Sequence, residues 1–287
     1  MLNREVIEKI WLQLNGKYPE SEIDSFVHIL FKHYLNMTSF EIHLLQESDM
    51  PNEIEQHILK AIDELAKYRP IQYILGKTEF YELQFELTPD VLIPRPETEE
   101  LVDWIVCEYE NQISNTSLSI IDIGTGSGCI AVSLKANFPN SDVWAVDVSE
   151  PALSVAMRNA AKNNVEINFI QRDVLKDDLT CLGCESFDII VSNPPYVTSS
   201  EKSQMQPNVL EYEPHNALFT PDDDPLIFFK RIAAFGIKNL KDSGMIFFEI
   251  NEAYHKEVAD ILKQQGFSDI SLRKDINGKW RMISARK

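Results

Sequence analysis

From Thr98 onward, short apolar runs alternate with longer amphipathic ones, and this rhythm constrains the fold more than any other feature of the chain. Helical stretches such as ETEELVDWIVCEYEN and EPALSVAMRNAAKNN separate strands such as LSIIDIG, DVWAVDVS, INFIQRDV, FDIIVS and GMIFFEIN. The strands are β-branched and nearly continuous in apolar residues, as strands buried on both faces are. Strands joined by helices of ten to sixteen residues build a parallel sheet with helices on both faces. The end of the chain, SDISLRKDINGKWRMISAR, reads instead as two strands around Asn277-Gly278, a strong hairpin signal. The expectation is an α/β domain, residues 98–287, whose parallel sheet is finished by an antiparallel hairpin.

Before Thr98 the period differs. EVIEKIWLQL, EIDSFVHILFKHYL, TSFEIHLLQ and NEIEQHILKAIDELAKY carry apolar residues three and four apart. Thr38-Ser39 with Glu41, and Pro51-Asn52 with Glu53, mark helix starts. Residues 1–78 are predicted to form a bundle of four or five helices. Phe80, Leu83, Phe85 and Leu87 suggest a hairpin, and Pro89, Pro94 and Pro96 punctuate the stretch after it, so residues 79–97 are expected to be a hairpin linker.

Two interruptions of the α/β rhythm point to chemistry. The first is IIDIGTGSGCIA, residues 120–131, in which a strand runs into Gly124, Gly126 and Gly128 before a helix begins. Such glycines allow a tight turn and let a ligand approach backbone N–H groups. The dinucleotide fingerprint is G-x-G-x-x-G, whereas here the spacing is G-x-G-x-G with Cys129 in the third place. Asp122, just before the loop, would repel a diphosphate but suits an ammonium or sulfonium. Asp147 ends the next strand, where an acid accepts ribose hydroxyls. Asp173 and Val174 follow the third strand, placed to meet an adenine amino group and ring. A ligand with amino acid, ribose and adenine but no phosphate fits these groups, namely S-adenosylmethionine. The competing role for Asp147 and Asp173 is helix capping.

The second interruption is Asn193-Pro194-Pro195-Tyr196, at the end of the fourth strand. Two prolines donate no hydrogen bonds and hold the chain stiff and extended. The carbonyls left over can accept from a planar NH2 group: one hydrogen to the Asn193 side-chain oxygen and one to the Pro194 carbonyl, with Tyr196 stacked on the plane. That arrangement would aim the nitrogen at a methyl donor. A rigid turn is the plain alternative. No general base is apparent, so the proton is expected to leave to solvent.

The rest of the sequence sets limits. The formal net charge is −18, from 27 Lys and Arg against 45 Asp and Glu. Such a surface repels nucleic acid and favours a neutral or basic partner, with mere solubility the equal alternative. No window approaches a membrane span and the N-terminus lacks a secretory pattern, so a cytoplasmic protein is expected. Of the four cysteines, Cys181 and Cys184 form one C-x-x-C with no second pair for zinc, and structural thiols are expected; no metal is implied. His28, His33, His43 and His57 are expected to be surface or satisfied core residues. His215 is not expected to be catalytic, and Glu97 and Glu99 look like first-turn acids of a helix.

Together, DIGTGSGCIA, AVDVS, NPPYV, VLIPRPETEELV, RPIQYILG and YEPHNALF resemble the release factor glutamine N5-methyltransferases, the HemK/PrmC type. The resemblance covers nearly the whole chain. It implies a Rossmann-like class I methyltransferase domain with a mixed seven-stranded sheet behind a helical bundle. The implied reaction methylates the glutamine of the Gly-Gly-Gln loop of peptide chain release factors, leaving S-adenosylhomocysteine. On that match, Gly124, Thr125, Gly126, Ser127, Gly128, Asp147 and Val174 line the cofactor, and Asp122, Asp173 and Asn193 are assigned to it beside them. Asn193, Pro194, Pro195 and Tyr196 hold the glutamine, with Asn193, Pro194 and Tyr196 as the catalytic set. Arg95 is assigned to the substrate entrance and the bundle to gripping the release factor, and a monomer is expected. One departure is Val174, where some relatives carry an aromatic residue. The rivals are a ribosomal-protein glutamine methyltransferase, an adenine-N6 nucleic-acid methyltransferase, and a binding module that holds the cofactor without turnover.

Overall fold

A computed structural model describes residues 1–110, 117–177 and 186–287. Cys181 and Cys184 lie outside the described residues. The chain divides into two compact units. One comprises Met1–Leu75 with Pro207–Tyr212, and the other Gly76–Gln206 with Glu213–Lys287.

The first unit is helical: α1 (Asn3–Leu14), α2 (Glu20–Leu35), α3 (Ser39–Leu44), α4 (Asn52–Leu65) and α5 (Ile71–Leu75). Local chemistry sets the ends. At the start of α3, Thr38 Oγ1 accepts from the Glu41 N–H while Glu41 Oε2 accepts from the Thr38 N–H at 2.8 Å, satisfying two orphan donors. Pro51 leads into α4, and Asn36 ends α2 in the left-handed region at φ 55°. Val6, Ile10 and Leu14 recur at helical spacing and are fully buried with Ile23, Leu30, Phe31, Ile58, Ile62 and Leu65. Each such side chain contributes about 1.5–3 kcal/mol on leaving water. The 207–212 segment enters this unit through the Tyr212 hydroxyl, which donates to the Lys67 carbonyl at 2.8 Å.

The second unit opens with the hairpin β1 (Lys77–Phe80) and β2 (Leu83–Glu86), followed by α6 (Pro96–Tyr109). Then come β3 (Ser119–Ile123), α7 (Cys129–Asn137), β4 (Asp142–Asp147), α8 (Glu150–Lys162), β5 (Asn168–Gln171) and β6 (Phe187–Ser192). A short excursion holds β7 (Val197–Thr198), α9 (Pro207–Tyr212, of the first unit), α10 (His215–Leu218) and β8 (Phe219–Thr220). The chain closes with α11 (Ile227–Asn239), β9 (Leu240–Glu249), α12 (His255–Gln265), β10 (Ser268–Lys274) and β11 (Trp280–Arg286).

Seven strands form one sheet in the order β10-β11-β9-β6-β3-β4-β5. The five from β5 to β9 are parallel, and β11 runs antiparallel to both its neighbours. The mixed seven-stranded sheet with a C-terminal hairpin is as the sequence predicts. The inner strands are dry: Ile120, Ile121, Ile189, Ile190, Val191, Ile246, Phe247 and Phe248 are fully buried, with one hydrophobic core on each face. The register aligns Ile123 with Val146, Asp147 with Gln171 and Ser192 with Phe248. The carboxyl ends of β3, β4, β6 and β9 therefore finish along one edge, where open α/β sheets bind ligands. The parallel pair β7–β8 is an element the sequence pattern does not announce, because two residues per strand carry no period.

Candidate active site

At that edge lies a cavity of about 370 Å³. Of the residues singled out in the sequence, Gly124, Gly126, Asp147, Asp173, Val174, Asn193, Pro194 and Pro195 border it. The glycine loop is built largely from backbone. The Gly124 and Thr125 N–H groups both donate to the Val146 carbonyl, at 2.8 and 3.0 Å, so the loop crosses over the end of β4. Gly126 has φ 54° and open space where a Cβ would stand, leaving its surface free for a ligand. Gly128 works differently. Its φ is 81°, and a Cβ there would stand 3.0 Å from that of Ala156 on α8. It is a helix-packing glycine, the role the third glycine has in the dinucleotide motif.

Asp147 is not the helix cap. Ser149 caps α8, its hydroxyl accepting from the Ala152 N–H. The Asp147 carboxylate accepts instead from the Gly126 N–H and the Ser149 N–H, each at 2.9 Å. Burial raises its pKa against those hydrogen bonds. Its remaining lone pairs border the cavity. Asp173 closes a turn, not a helix, and borders the cavity. Its Oδ1 accepts from the Leu175 N–H at 2.9 Å, closing a turn, and it sits on the cavity wall paired with Lys176, whose hydrogen bond holds its carboxyl below the ordinary range.

The other expected ligand contacts do not border the cavity. Asp122 is fully buried; its Oδ2 accepts from the Thr125 hydroxyl at 2.6 Å, and Oδ1 has no hydrogen-bond partner among the described residues. It ties the loop down from beneath rather than facing a charged ligand, and burial pushes its carboxyl up to about 7. Thr125 and Ser127 are likewise buried, because alternate residues of the loop turn inward. Ser127 meets α8 through its carbonyl, which accepts from Asn159 Nδ2 at 2.9 Å. Tyr196 does not border the cavity either. Its hydroxyl donates to Glu249 Oε1 at 2.9 Å, and its ring packs against the core face that carries Phe229 and Phe248. The half-buried ring therefore has a fixed place next to Asn193 in the chain.

The structure adds residues that the sequence reading did not assign to the site. Asn193 Nδ2 donates to Thr98 Oγ1 at 3.2 Å, and the Thr98 hydroxyl is 2.6 Å from Glu249 Oε2. Thr98 and Glu249 are 2% and 1% exposed, and burial raises the Glu249 pKa against its hydrogen bonds. The available signal was Glu249 itself, an acid closing the apolar run Met245–Phe248, since a carboxylate in a core strand is costly unless partnered. Asp90, Val91, Leu92, Asn216 and Phe219 also border the cavity. The segment before α6 is held by buried Glu213, which accepts from the Ile93 N–H and pairs with Arg95. That pairing gives Arg95 a structural anchor at the position the resemblance assigns to the entrance. Glu97 and Glu99 are first-turn acids of α6, and Glu99 Oε1 also accepts from the Tyr81 N–H at 2.9 Å. Cys107 and Cys129 are free thiols, and no cluster able to hold a metal occurs among the described residues. None of the described helices is long and apolar enough to cross a membrane.

An open parallel sheet ending in an antiparallel hairpin, a glycine loop with an acid on the next strand, and an Asn-Pro-Pro corner on the same cavity define a Rossmann-like methyltransferase. The family described as Methyltransferase small domain matches residues 109–212, and the PrmC N-terminal domain matches residues 5–76. A methyltransferase from Pyrococcus furiosus shares the fold, with a TM-score of 0.52 at 18% identity over 83% of this chain and 99% of that one. The chain belongs to the release factor glutamine methyltransferases. It is 44% identical to the enzyme of that name from Flavobacterium psychrophilum, over 93% of this chain and 92% of the relative. It is 40% identical to that from Bacteroides thetaiotaomicron over 96% of each.

Proposed function

We propose that this protein transfers a methyl group from S-adenosylmethionine to the side-chain amide nitrogen of the glutamine in the Gly-Gly-Gln loop of peptide chain release factors. One observation carries the reading: Asn193 and Pro194 stand on the wall of the cavity that the glycine loop and Asp147 also border. A hydrogen-bonding frame for a planar NH2 and a cradle for a phosphate-free nucleoside thus share one space.

The residues present fit the cofactor. Gly124 and Gly126 have open space above a left-handed backbone, and Asp147 offers lone pairs beyond those its backbone donors use. Asp147 would accept from the ribose, the glycine loop would approach the amino-acid part, and Asp173 and Val174 would meet the adenine. When bound, S-adenosylmethionine supplies an electrophilic methyl on a sulfonium. The protein's contribution is positional. Asn193 Oδ1 and the Pro194 carbonyl accept the two amide hydrogens, hold the nitrogen in one plane and enrich its electron density. The proton released on methylation leaves to solvent. The helical bundle is the part we assign to gripping the release factor. The acidic surface, with net charge −18, suits a protein substrate over a nucleic acid. We place the reaction in the cytoplasm, with the enzyme a monomer.

The test is peptide mass spectrometry of an unmodified bacterial release factor incubated with the protein and S-adenosylmethionine. The expected result is one methyl on the Gly-Gly-Gln glutamine, made about 10²–10³-fold more slowly by Asn193→Ala with cofactor affinity retained. No methyl gain with cofactor bound would overturn the substrate and move it to a ribosomal protein or nucleic acid.

A further inference from the structure

We propose that Glu249, acting through Thr98, fixes which end of the Asn193 side-chain amide faces the substrate, and so makes the site select a donor group such as glutamine NH2. The inference rests on the reading of Asn193 as the acceptor for that group. The two ends of an asparagine amide are nearly the same shape but opposite in hydrogen-bonding sense. With Nδ2 toward the cavity, Asn193 would set NH2 against NH2 and hold no glutamine. Something must therefore decide the orientation.

Hydrogen counting supplies the answer. Each oxygen of Glu249 meets a hydroxyl, Thr98 at 2.6 Å and Tyr196 at 2.9 Å. Arg281, tied to Asp275, lies close enough to act on Glu249 as a favourable cation. Burial raises the Glu249 pKa, but both contacts run from hydroxyl to carboxyl oxygen, so Glu249 is the acceptor in each. The single hydroxyl hydrogen of Thr98 is then committed to Glu249, and its oxygen can only accept from Asn193. Nδ2 therefore faces Thr98, 3.2 Å away, and Oδ1 is left for the cavity. No described residue donates to that oxygen.

The device spans the chain: Thr98 is 95 residues from Asn193 and 151 from Glu249. It converges because β6 and β9 are parallel neighbours whose ends align, with Ser192 opposite Phe248. A purely structural role accounts poorly for it. A buried ion costs several kcal/mol in desolvation, and a well-packed apolar residue would hold this strand end at least as well. The same polarity rejects a glutamate side chain, whose carboxylate would meet Oδ1 and the Pro194 carbonyl with no hydrogen to give.

The test uses the full-length enzyme, S-adenosylmethionine and release factor. Thr98→Val removes the hydroxyl at constant shape and should lower kcat about tenfold, the worth of one directed hydrogen bond, with release-factor KM and cofactor affinity little changed. Thr98→Ser should restore most of the rate. In an Asn193→Ala background Thr98→Val should cost nothing further, since Thr98 acts only through that amide. A wild-type rate in Thr98→Val, or a loss that adds fully to Asn193→Ala, would overturn the proposal. An active wild type beside an equally active Thr98→Val sinks this inference alone, whereas a wild type silent on the glutamine sinks the substrate reading with it. Should Thr98→Val not fold, 15N NMR of the wild type decides. The Asn193 side-chain NH2 signals, assigned by their loss in Asn193→Ala, should hardly shift when a Gly-Gly-Gln peptide binds. A large shift would place Nδ2 at the substrate and end the idea.

Discussion

The glycine loop and the Asn-Pro-Pro corner meet at one cavity but are made in opposite ways. The loop is held by near neighbours: Asp122 grips Thr125 three residues on, and Asp147 accepts from Gly126 at a separation of 21. Its ligand-facing surface is backbone, and its side chains turn inward. The corner presents a side chain, Asn193, whose sense is set by Thr98 and Glu249 from distant segments. A backbone cradle can be written into a few consecutive residues, because glycine and a strand end are sufficient. A side-chain frame needs partners that only folding brings together.

Four outcomes would sharpen or break that contrast. The largest concerns stability. The Asp122 carboxyl is held neutral up to about pH 7 in the folded chain, against an ordinary value of 3.8. Unfolding releases its proton in that window, so this group's stabilising contribution is full below about pH 4 and is lost as pH rises through 7. Relative to Asp122→Asn, the wild type should lose roughly 4 kcal/mol of unfolding free energy across the window, at 1.36 kcal/mol per unit. Urea melts of both proteins at pH 4 to 8 measure it; parallel curves would show that the loop does not rest on a neutral acid. Next, Asp147→Ala should weaken S-adenosylmethionine about hundredfold in titration calorimetry, roughly 3 kcal/mol for hydrogen bonds to a charged acceptor. Unchanged affinity would remove Asp147 from the cradle.

A third comparison lies within the loop. Gly128→Ala combines a left-handed backbone with a Cβ 3.0 Å from Ala156 and should cost about 2–4 kcal/mol, while Gly126→Ala meets open space and should cost about 1. Equal costs in denaturant would mean that helix packing is not what Gly128 serves. The smallest effect belongs to the corner. Tyr196→Phe deletes one donor to Glu249 and should lower the methylation rate severalfold to tenfold while leaving cofactor affinity alone. A matching drop in cofactor binding would show that the two regions are not separable.

These variants also trace how far the sequence is legible. The β-branched strands and amphipathic helices predict the sheet, because burial on two faces leaves no room for polar residues. Asn277-Gly278 predicts the terminal hairpin, since its turn needs positive φ, seen at Gly278. The motif residues did gather at one cavity. Their orientation was harder to read: Asp122, Thr125, Ser127, Gly128 and Tyr196 were expected at the ligand and do not border the cavity. A motif gives spacing along the chain, and whether a side chain points in or out depends on the twist of a loop and the helix beneath it.

By itself, then, the sequence determined the elements, the order of chemistry along them and the stiff corner at Asn193, because these follow from local backbone preferences and the period of burial. Only the tertiary structure decided that Thr98 and Glu249 stand behind Asn193, and so which end of its amide is offered. Hydrogen-bond polarity at a buried site is settled by counting donors and acceptors in three dimensions, and Asn193 and Glu249, 95 and 151 residues from Thr98, meet it only where α6 lies at the aligned ends of β6 and β9.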